Sequence, residues 1–360
     1  MIRKSVRMIV SLIFALLIAF GVFLWVLQIT KYDPVEKETM AIDNNADTSI
    51  TLNHESAQTF SVMTYNIGYA GLGRQEDFFM DGGVKSRPDS LEIVKDNYFT
   101  IEDTIMTQSS DFIMLQEVDR NSHRSYRLDE YTALKKAFET YSASFAYNYK
   151  VLYVPVPFPP MGQVNAGQAT FGAYEMVASE RIALPSTYSW PKNLVMLDRC
   201  VLKTTYAIDD RAERLVLYNA HFSAYDDGTL REQQMALIKK LILESYQRGD
   251  YVILGGDWNQ TFPEIDPSQF PLFDSGAFYL PYQIDKEWAP AGWQWGIDDS
   301  IPTYRLLNAP YEEGITQVGI IDGFLVSPNV SIQHVETLNL GFEASDHHPV
   351  IMKFSLLGSE

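Results

Sequence analysis

The first apolar block of the chain is nearly unbroken, because from Met8 to Ile29 every residue is apolar apart from Ser11 and Gln28. At about 1.5 Å of rise per residue, a helix of that length crosses the hydrocarbon core of a bilayer. Residues 1–30 therefore read as a cytoplasmic tip and a transmembrane anchor. A cleaved secretory signal is the competing reading. The run exceeds the usual signal core of about 7 to 15 residues, and no A-x-A-like site follows Trp25-Val26-Leu27-Gln28-Ile29-Thr30. Arg3, Lys4 and Arg7 precede the span, whereas only Lys31 comes before Asp33, Glu36 and Glu38 after it. This asymmetry predicts a single-pass protein of the cell membrane with its N-terminus in the cytoplasm and the rest on the extracytoplasmic side. Residues 31–58 are rich in Asp, Glu, Asn, Thr and Ser without apolar periodicity, and they predict a flexible, solvated tether.

Residues 59–360 form the third segment, in which short β-rich apolar runs alternate with amphipathic helical stretches, as in an α/β or α+β domain. The runs predict strands at Phe60–Asn66, Phe112–Gln116, Ala173–Ala178, Leu215–Ala220, Tyr251–Gly255, Gly319–Ser327 and Val350–Phe354. Helical periodicity is clearest over Ile93–Thr107 and Thr229–Gln247. In the second, Leu230, Met235, Leu237, Ile238, Leu241 and Ile242 face a sheet, while Arg231, Glu232, Lys239 and Lys240 face water.

Composition narrows the picture. With 46% hydrophobic residues, 21 Tyr and 20 Phe, the chain can bury a large core. The single cysteine, Cys200, excludes an intrachain disulfide and a cysteine zinc site. Lys and Arg total 28 against 46 Asp and Glu, a formal net charge of −18. So acidic a surface gives no general attraction for nucleic acid, so a phosphate-bearing ligand needs local features, such as a bound cation.

Nearly every predicted strand ends in a residue able to bind a metal, hold a phosphate or move a proton. In order these are Thr64-Tyr65-Asn66, Leu115-Gln116-Glu117, Asn219-Ala220-His221, Gly255-Gly256-Asp257-Trp258-Asn259, Ile321-Asp322-Gly323-Phe324-Leu325-Val326-Ser327 and Ser345-Asp346-His347-His348-Pro349. Each string is weak alone. The ordered set, from about Phe60 to Phe354, resembles the endonuclease/exonuclease/phosphatase superfamily, with its DNase I-like nucleases, abasic-site endonucleases, neutral sphingomyelinases and inositol-polyphosphate 5-phosphatases. The resemblance implies a four-layer α/β/β/α sandwich with the site at one edge, and hydrolysis of a phosphoester, in the first place a phosphodiester, by an activated water.

That chemistry requires neutralising phosphoryl oxygens, orienting a water and stabilising the departing oxygen. Glu117 is the candidate principal ligand of Mg²⁺, with Mn²⁺ as the alternative ion, and Asn66 and Asp346 support it. By resemblance, Asp257 orients or deprotonates the water and Asn259 holds a phosphate oxygen. His347 contacts the scissile phosphate with Asp322 fixing its tautomer, and His221 assists the leaving group. For His348, packing or a supporting role fits equally. Two departures stand out: Gly319-Ile320-Ile321-Asp322 lacks an Arg common before the Ile-Asp pair, and Phe171–Ser179 lacks the Asn of the usual Gly-Asn-Ala-Ile-Leu-Ser.

The loop from Gly71 to Gly83 lies between two motifs and must approach the site. Val151–Met161, with four prolines, and Trp288–Trp295, with three tryptophans, are unusually apolar connections. Packing among themselves is the favoured reading, and a lipid-touching rim of Phe78, Phe79, Trp288, Trp293 and Trp295 is the functional one. A small or lipid-linked phosphoester is the expected partner, and duplex nucleic acid is less favoured for want of a basic run. The alternatives are a nuclease acting on DNA or RNA, a membrane-tethered binding module without catalysis, and a structural protein of the cell surface.

Overall fold

The computed structural model describes residues 2–44, 52, 58–186, 188–209, 211–224, 228–270 and 281–358. The apolar N-terminal run forms α1 (Ile2–Ile29). Beyond it, two seven-stranded sheets pack face to face. The first has the order β1 (Lys37–Thr39), β7 (Met176–Ala183), β8 (Cys200–Ala207), β9 (Arg214–His221), β10 (Tyr251–Asp257), β16 (Asp322–Val326) and β13 (Gln294–Gly296). The second runs β17 (Val330–Thr337), β18 (Val350–Leu356), β3 (Phe60–Asn66), β4 (Phe112–Asp119), β6 (Gly162–Gly172), β5 (Ser142–Val154) and β2 (Ile42–Asp43). Two short pairs accompany them: β11 (Gln260–Thr261) with β12 (Tyr282–Gln283), and β14 (Tyr304–Arg305) with β15 (Val318–Gly319).

Period-two alternation sends Phe60, Val62, Phe112, Met114, Leu215, Leu217, Ile253 and Phe324 into the core between the sheets. Opposite faces are covered by helices. On the second sheet, α2 (Leu91–Gln108) is capped by Ser90, whose Oγ accepts from the Ile93 N–H, and buries Val94, Tyr98, Ile101 and Ile105 at helical spacing. The short α3 (Glu130–Ala137) lies beside it and adds Tyr131 and Leu134 to the same core. On the first sheet, α4 (Thr229–Gln247) buries Met235, Ile238 and Ile242. The result is the expected four-layer α/β/β/α sandwich.

Four expectations need correction. Residues 31–44 are not a free tether, since Lys37–Thr39 pairs with β7 and Ile42–Asp43 with β5. Edge pairing uses backbone groups, so a polar sequence joins without an apolar pattern. Leu52 is also buried and bridges Ile208, while the remaining tether positions 45–51 and 53–57 lie outside the described residues. The strand expected at Ala173–Ala178 begins only at Met176, where β7 starts, and Ala173–Glu175 form the turn from β6. Arg231 on α4 is buried, its guanidinium 4.3 Å over the Tyr282 ring. Finally, Val151–Met161 is not a connection throughout, because its first residues finish β5 in a long hairpin with β6.

Candidate active site

The sheet register gathers the motif residues before any side chain is considered. Parallel pairing aligns the ends of β3 and β4, with Asn66 opposite Gln116, and the ends of β9 and β10, with Asp257 opposite His221. The antiparallel β16 begins where β10 ends, with Asp322 opposite Asp257, and β18 starts beside the end of β3. All these termini fall on one edge of the sandwich. Beneath them, Gly255 admits the second sheet, since a Cβ there would lie 2.5 Å from Phe324 and 2.7 Å from Met114. Gly256 has φ 143°, and a Cβ would run into the Ala220 carbonyl. The Gly-Gly pair therefore meets a packing demand that brings Asp257 to the edge.

Asp257 is the hub. One oxygen accepts from the Asn259 N–H at 2.8 Å, and the other from Asn66 Nδ2 at 3.0 Å with His221 Nε2 at 3.3 Å. Burial raises its pKa to about 7. His347 Nδ1 lies 2.8 Å from Asp322 Oδ2, and its Nε2 faces Asp257 at 3.7 Å and Asp346 at 3.9 Å. Burial alone would keep His347 neutral, but the carboxylates of Asp322, Asp346 and Asp257 outweigh it and hold its pKa well above the usual histidine range. The surrounding carboxylates thus favour the protonated ring of His347, whose Nε2 faces the site. His221 is the reverse case: burial, with Arg199 and His347 nearby, lowers its pKa, and the neutral ring turns Nε2 to Asp257. Its 3.3 Å contact places it as a support for Asp257 at the edge of the cleft. Asn259 (φ 50°) is anchored by Nδ2 donating to the Phe222 carbonyl at 2.9 Å and faces the same cleft.

Glu117 sits at a bulge between Leu115 and Val118 with φ 54°, a strained conformation that turns its side chain out of the sheet toward the cleft. Asp346 faces the same cleft, and burial, reinforced by the negative charge of Glu117, raises its pKa to about 7. These two carboxylates offer hard oxygens, and their mutual repulsion is what a divalent cation would relieve, so the pair fits Mg²⁺. Asn66 fits less well as a ligand. Its Oδ1 accepts from the Gly68 N–H at 3.0 Å and its Nδ2 faces Asp257 and Glu117, so in this orientation it is a donor to carboxylates. Asp257, Asp322 and His347 also offer ligand atoms within 4.8 Å of one another, and there the Asp322–His347 Nδ1 contact of 2.8 Å already occupies one nitrogen of the ring.

His348 is structural. Its Nδ1–H donates to the Pro302 carbonyl at 2.8 Å, its Nε2 accepts from the Phe342 N–H at 3.1 Å, and its ring stacks on Phe342. Trp288 and Trp295 pack around Trp258, and Trp293 against Tyr246, away from the cleft, whereas Phe78 and Phe79 line it. Sequence reasoning missed Arg124 and Tyr69. Arg124 is buried with its guanidinium 3.7 Å over the Tyr69 ring, 2.9 Å from Asp119 and 3.7 Å from Glu117. Neither lies in a recognisable motif, and only the positions near Glu117 bring them together.

A four-layer sandwich with a buried Asp, an Asp-His pair and clustered carboxylates at one edge defines a phosphoester hydrolase of the DNase I-like class. The sequence profile of the Endonuclease/Exonuclease/phosphatase family matches residues 63–347, and the chain belongs to that family. Among solved structures it is similar to an endonuclease/exonuclease/phosphatase from Beutenbergia cavernae (18% identity, 84% of this chain and 72% of that one, TM-score 0.56). It is also similar to the human Nocturnin catalytic domain (14% identity, 88% and 97%, TM-score 0.52) and to ANGEL2, a 2',3'-cyclic phosphatase (13% identity, 88% and 98%, TM-score 0.55). No curated protein sequence matches the chain.

Proposed function

We propose that the chain is a Mg²⁺-dependent phosphodiesterase, held by α1 on the extracytoplasmic side of the cell membrane. The observation that carries this reading is the meeting at Asp257 of Asn66, His221, Asn259 and the Asp322–His347 pair, with Glu117 and Asp346 beside them. A carboxylate whose proton affinity lies near neutrality suits removal of a proton from an attacking water. Asn66 and the Asn259 N–H fix its orientation. The His347 imidazolium, aligned by Asp322, donates to a phosphoryl oxygen and offsets charge as the P–O bond to the departing alcohol breaks. Glu117 and Asp346 would hold Mg²⁺, or Mn²⁺ in its place, which when bound neutralises phosphoryl oxygens and polarises phosphorus toward attack.

The test is hydrolysis of a soluble aryl phosphodiester by the full chain in detergent. Activity should vanish with EDTA and return with Mg²⁺, and Asp257→Asn should lower kcat by about a hundredfold or more. Turnover that survives EDTA, or an Asp257→Asn variant as fast as the parent, overturns the reading.

A further inference from the structure

The end of α1 is built into the catalytic domain. Leu27 is buried, and Phe23 meets the Tyr153 ring edge-on at 6.2 Å between centroids. Past the helix, Lys31 faces Asp198 at 3.9 Å and Tyr32 packs against Tyr147, just before the β1 pairing begins. No slack separates a membrane helix from the domain. Phe23 precedes Ile29 by six residues, so at the helical rise it lies roughly 9 Å before the end of the apolar span. Tyr153, on the β5–β6 hairpin, is therefore level with the interior of the span.

The hairpin tip is made for that depth. Residues 151–161 contain no charged side chain, and Leu152, Val156 and Phe158 stand 43%, 53% and 94% exposed. Such exposure of a charge-free apolar segment is unexplained in water and ordinary beside lipid. Prolines at 155, 157, 159 and 160 remove backbone N–H donors from a turn that would otherwise need partners in hydrocarbon. The inner side of the same hairpin walls the active-site cleft, of about 360 Å³. Val154 and Met161, with Phe78, Val195 and Met196, line the same cleft as Glu117, Asp257 and His347.

We propose that the β5–β6 hairpin tip inserts into the bilayer beside α1, and that the cleft takes the hydrocarbon of a membrane-embedded phosphoester lipid while its phosphate reaches Asp257 and His347. This rests on the phosphodiesterase reading above. The apolar part of the lining suits a hydrocarbon chain, Arg124, Lys192 and Arg199 in the same lining suit its phosphate, and a net charge of −18 disfavours the approach of a nucleic acid.

The test uses the full chain in phosphatidylcholine–phosphatidylglycerol vesicles with Mg²⁺, assayed on the vesicle lipid and on a soluble aryl phosphodiester. Phe158→Asp, at an exposed position away from the catalytic groups, should lower lipid turnover about tenfold or more while leaving soluble turnover unchanged. Equal lipid turnover by variant and parent, or hydrolysis of plasmid DNA with no lipid product, overturns the proposal. A spin label at Phe158→Cys decides insertion without any turnover, since buried Cys200 is shielded from labelling. The label should be more accessible to oxygen than to an aqueous nickel chelate. The opposite preference sinks hairpin insertion even if the soluble diester is cleaved. Failure on the soluble diester with a lipid-embedded label sinks the phosphodiesterase reading instead.

Discussion

At the residue scale, the site separates its protonation states by environment. His221 and His347 are both buried, yet burial, with Arg199 and His347 nearby, lowers the pKa of the first, while the carboxylates of Asp322, Asp346 and Asp257 outweigh burial and raise that of the second. Asp322 Oδ2 lies 2.8 Å from His347 Nδ1, so the two form one unit. Asp322→Ala and His347→Ala should each cost about a hundredfold or more in kcat, and the double variant little beyond the worse single. Multiplicative losses would show that they serve different steps. Glu117 is the complementary case, a strained and repelled carboxylate kept for its charge. Glu117→Gln should weaken Mg²⁺ binding about tenfold or more by calorimetry while leaving thermal stability equal or higher, because the repulsion with Asp346 is gone. Parent-like affinity would remove Glu117 from the metal site. These residues were legible because short strings at strand ends mark them. Arg124 was not, since nothing in His123-Arg124-Ser125 announces an ion pair with Glu117 and Asp119.

At the element scale, strands that end in a chemical motif were found, whereas β5, β6, β8 and β17, which end in none, and the short β1 and β2, recruited through backbone, were not. Phe60–Asn66 was legible to the residue because both its faces are buried. Lys37–Thr39 is exposed throughout, and its pairing rests on main-chain bonds and on Glu180, which lies 2.6 Å from Lys37 and 3.1 Å from Lys203. The tryptophan loop was read correctly as self-packing because Trp258 supplies the platform, whereas the proline loop splits into buried Val151, Val154 and Met161 and the exposed tip. A docked segment is measurable. In hydrogen exchange the Met40 amide, bonded to the Ser179 carbonyl at 2.9 Å, should be protected far beyond random coil. Burial raises the Glu180 pKa, but the bonds from Lys37 and Lys203 outweigh it and the net shift is downward. The contribution is therefore present above the ordinary carboxylate range and lost as pH falls through the lowered value, so protection should weaken on acidification. Coil-like exchange at Met40 at neutral pH would return residues 31–44 to a free tether.

At the scale of the whole molecule, the docking of α1 bears on whether the chain keeps it. Cleavage after Thr30 would strip Phe23 from Tyr153 and take away buried Leu27, baring an apolar surface next to a hairpin already exposed. Such a product would associate or cling to membranes, which supports the proposed uncleaved anchor. The proposed orientation places Arg3, Lys4 and Arg7 in the cytoplasm and the strongly acidic domain outside. Mass spectrometry of the native protein should recover the N-terminal residues. In intact cells a tag after Glu360 should be open to added protease and one before Met1 shielded from it. A mature N-terminus beginning after Thr30 would replace the anchored enzyme with a released one, and a protected C-terminal tag would reverse the orientation. If α1 anchors the chain as proposed, its docking through Phe23 and Leu27 holds the cleft at a fixed distance from the end of the apolar span, and a released N-terminus would remove that constraint.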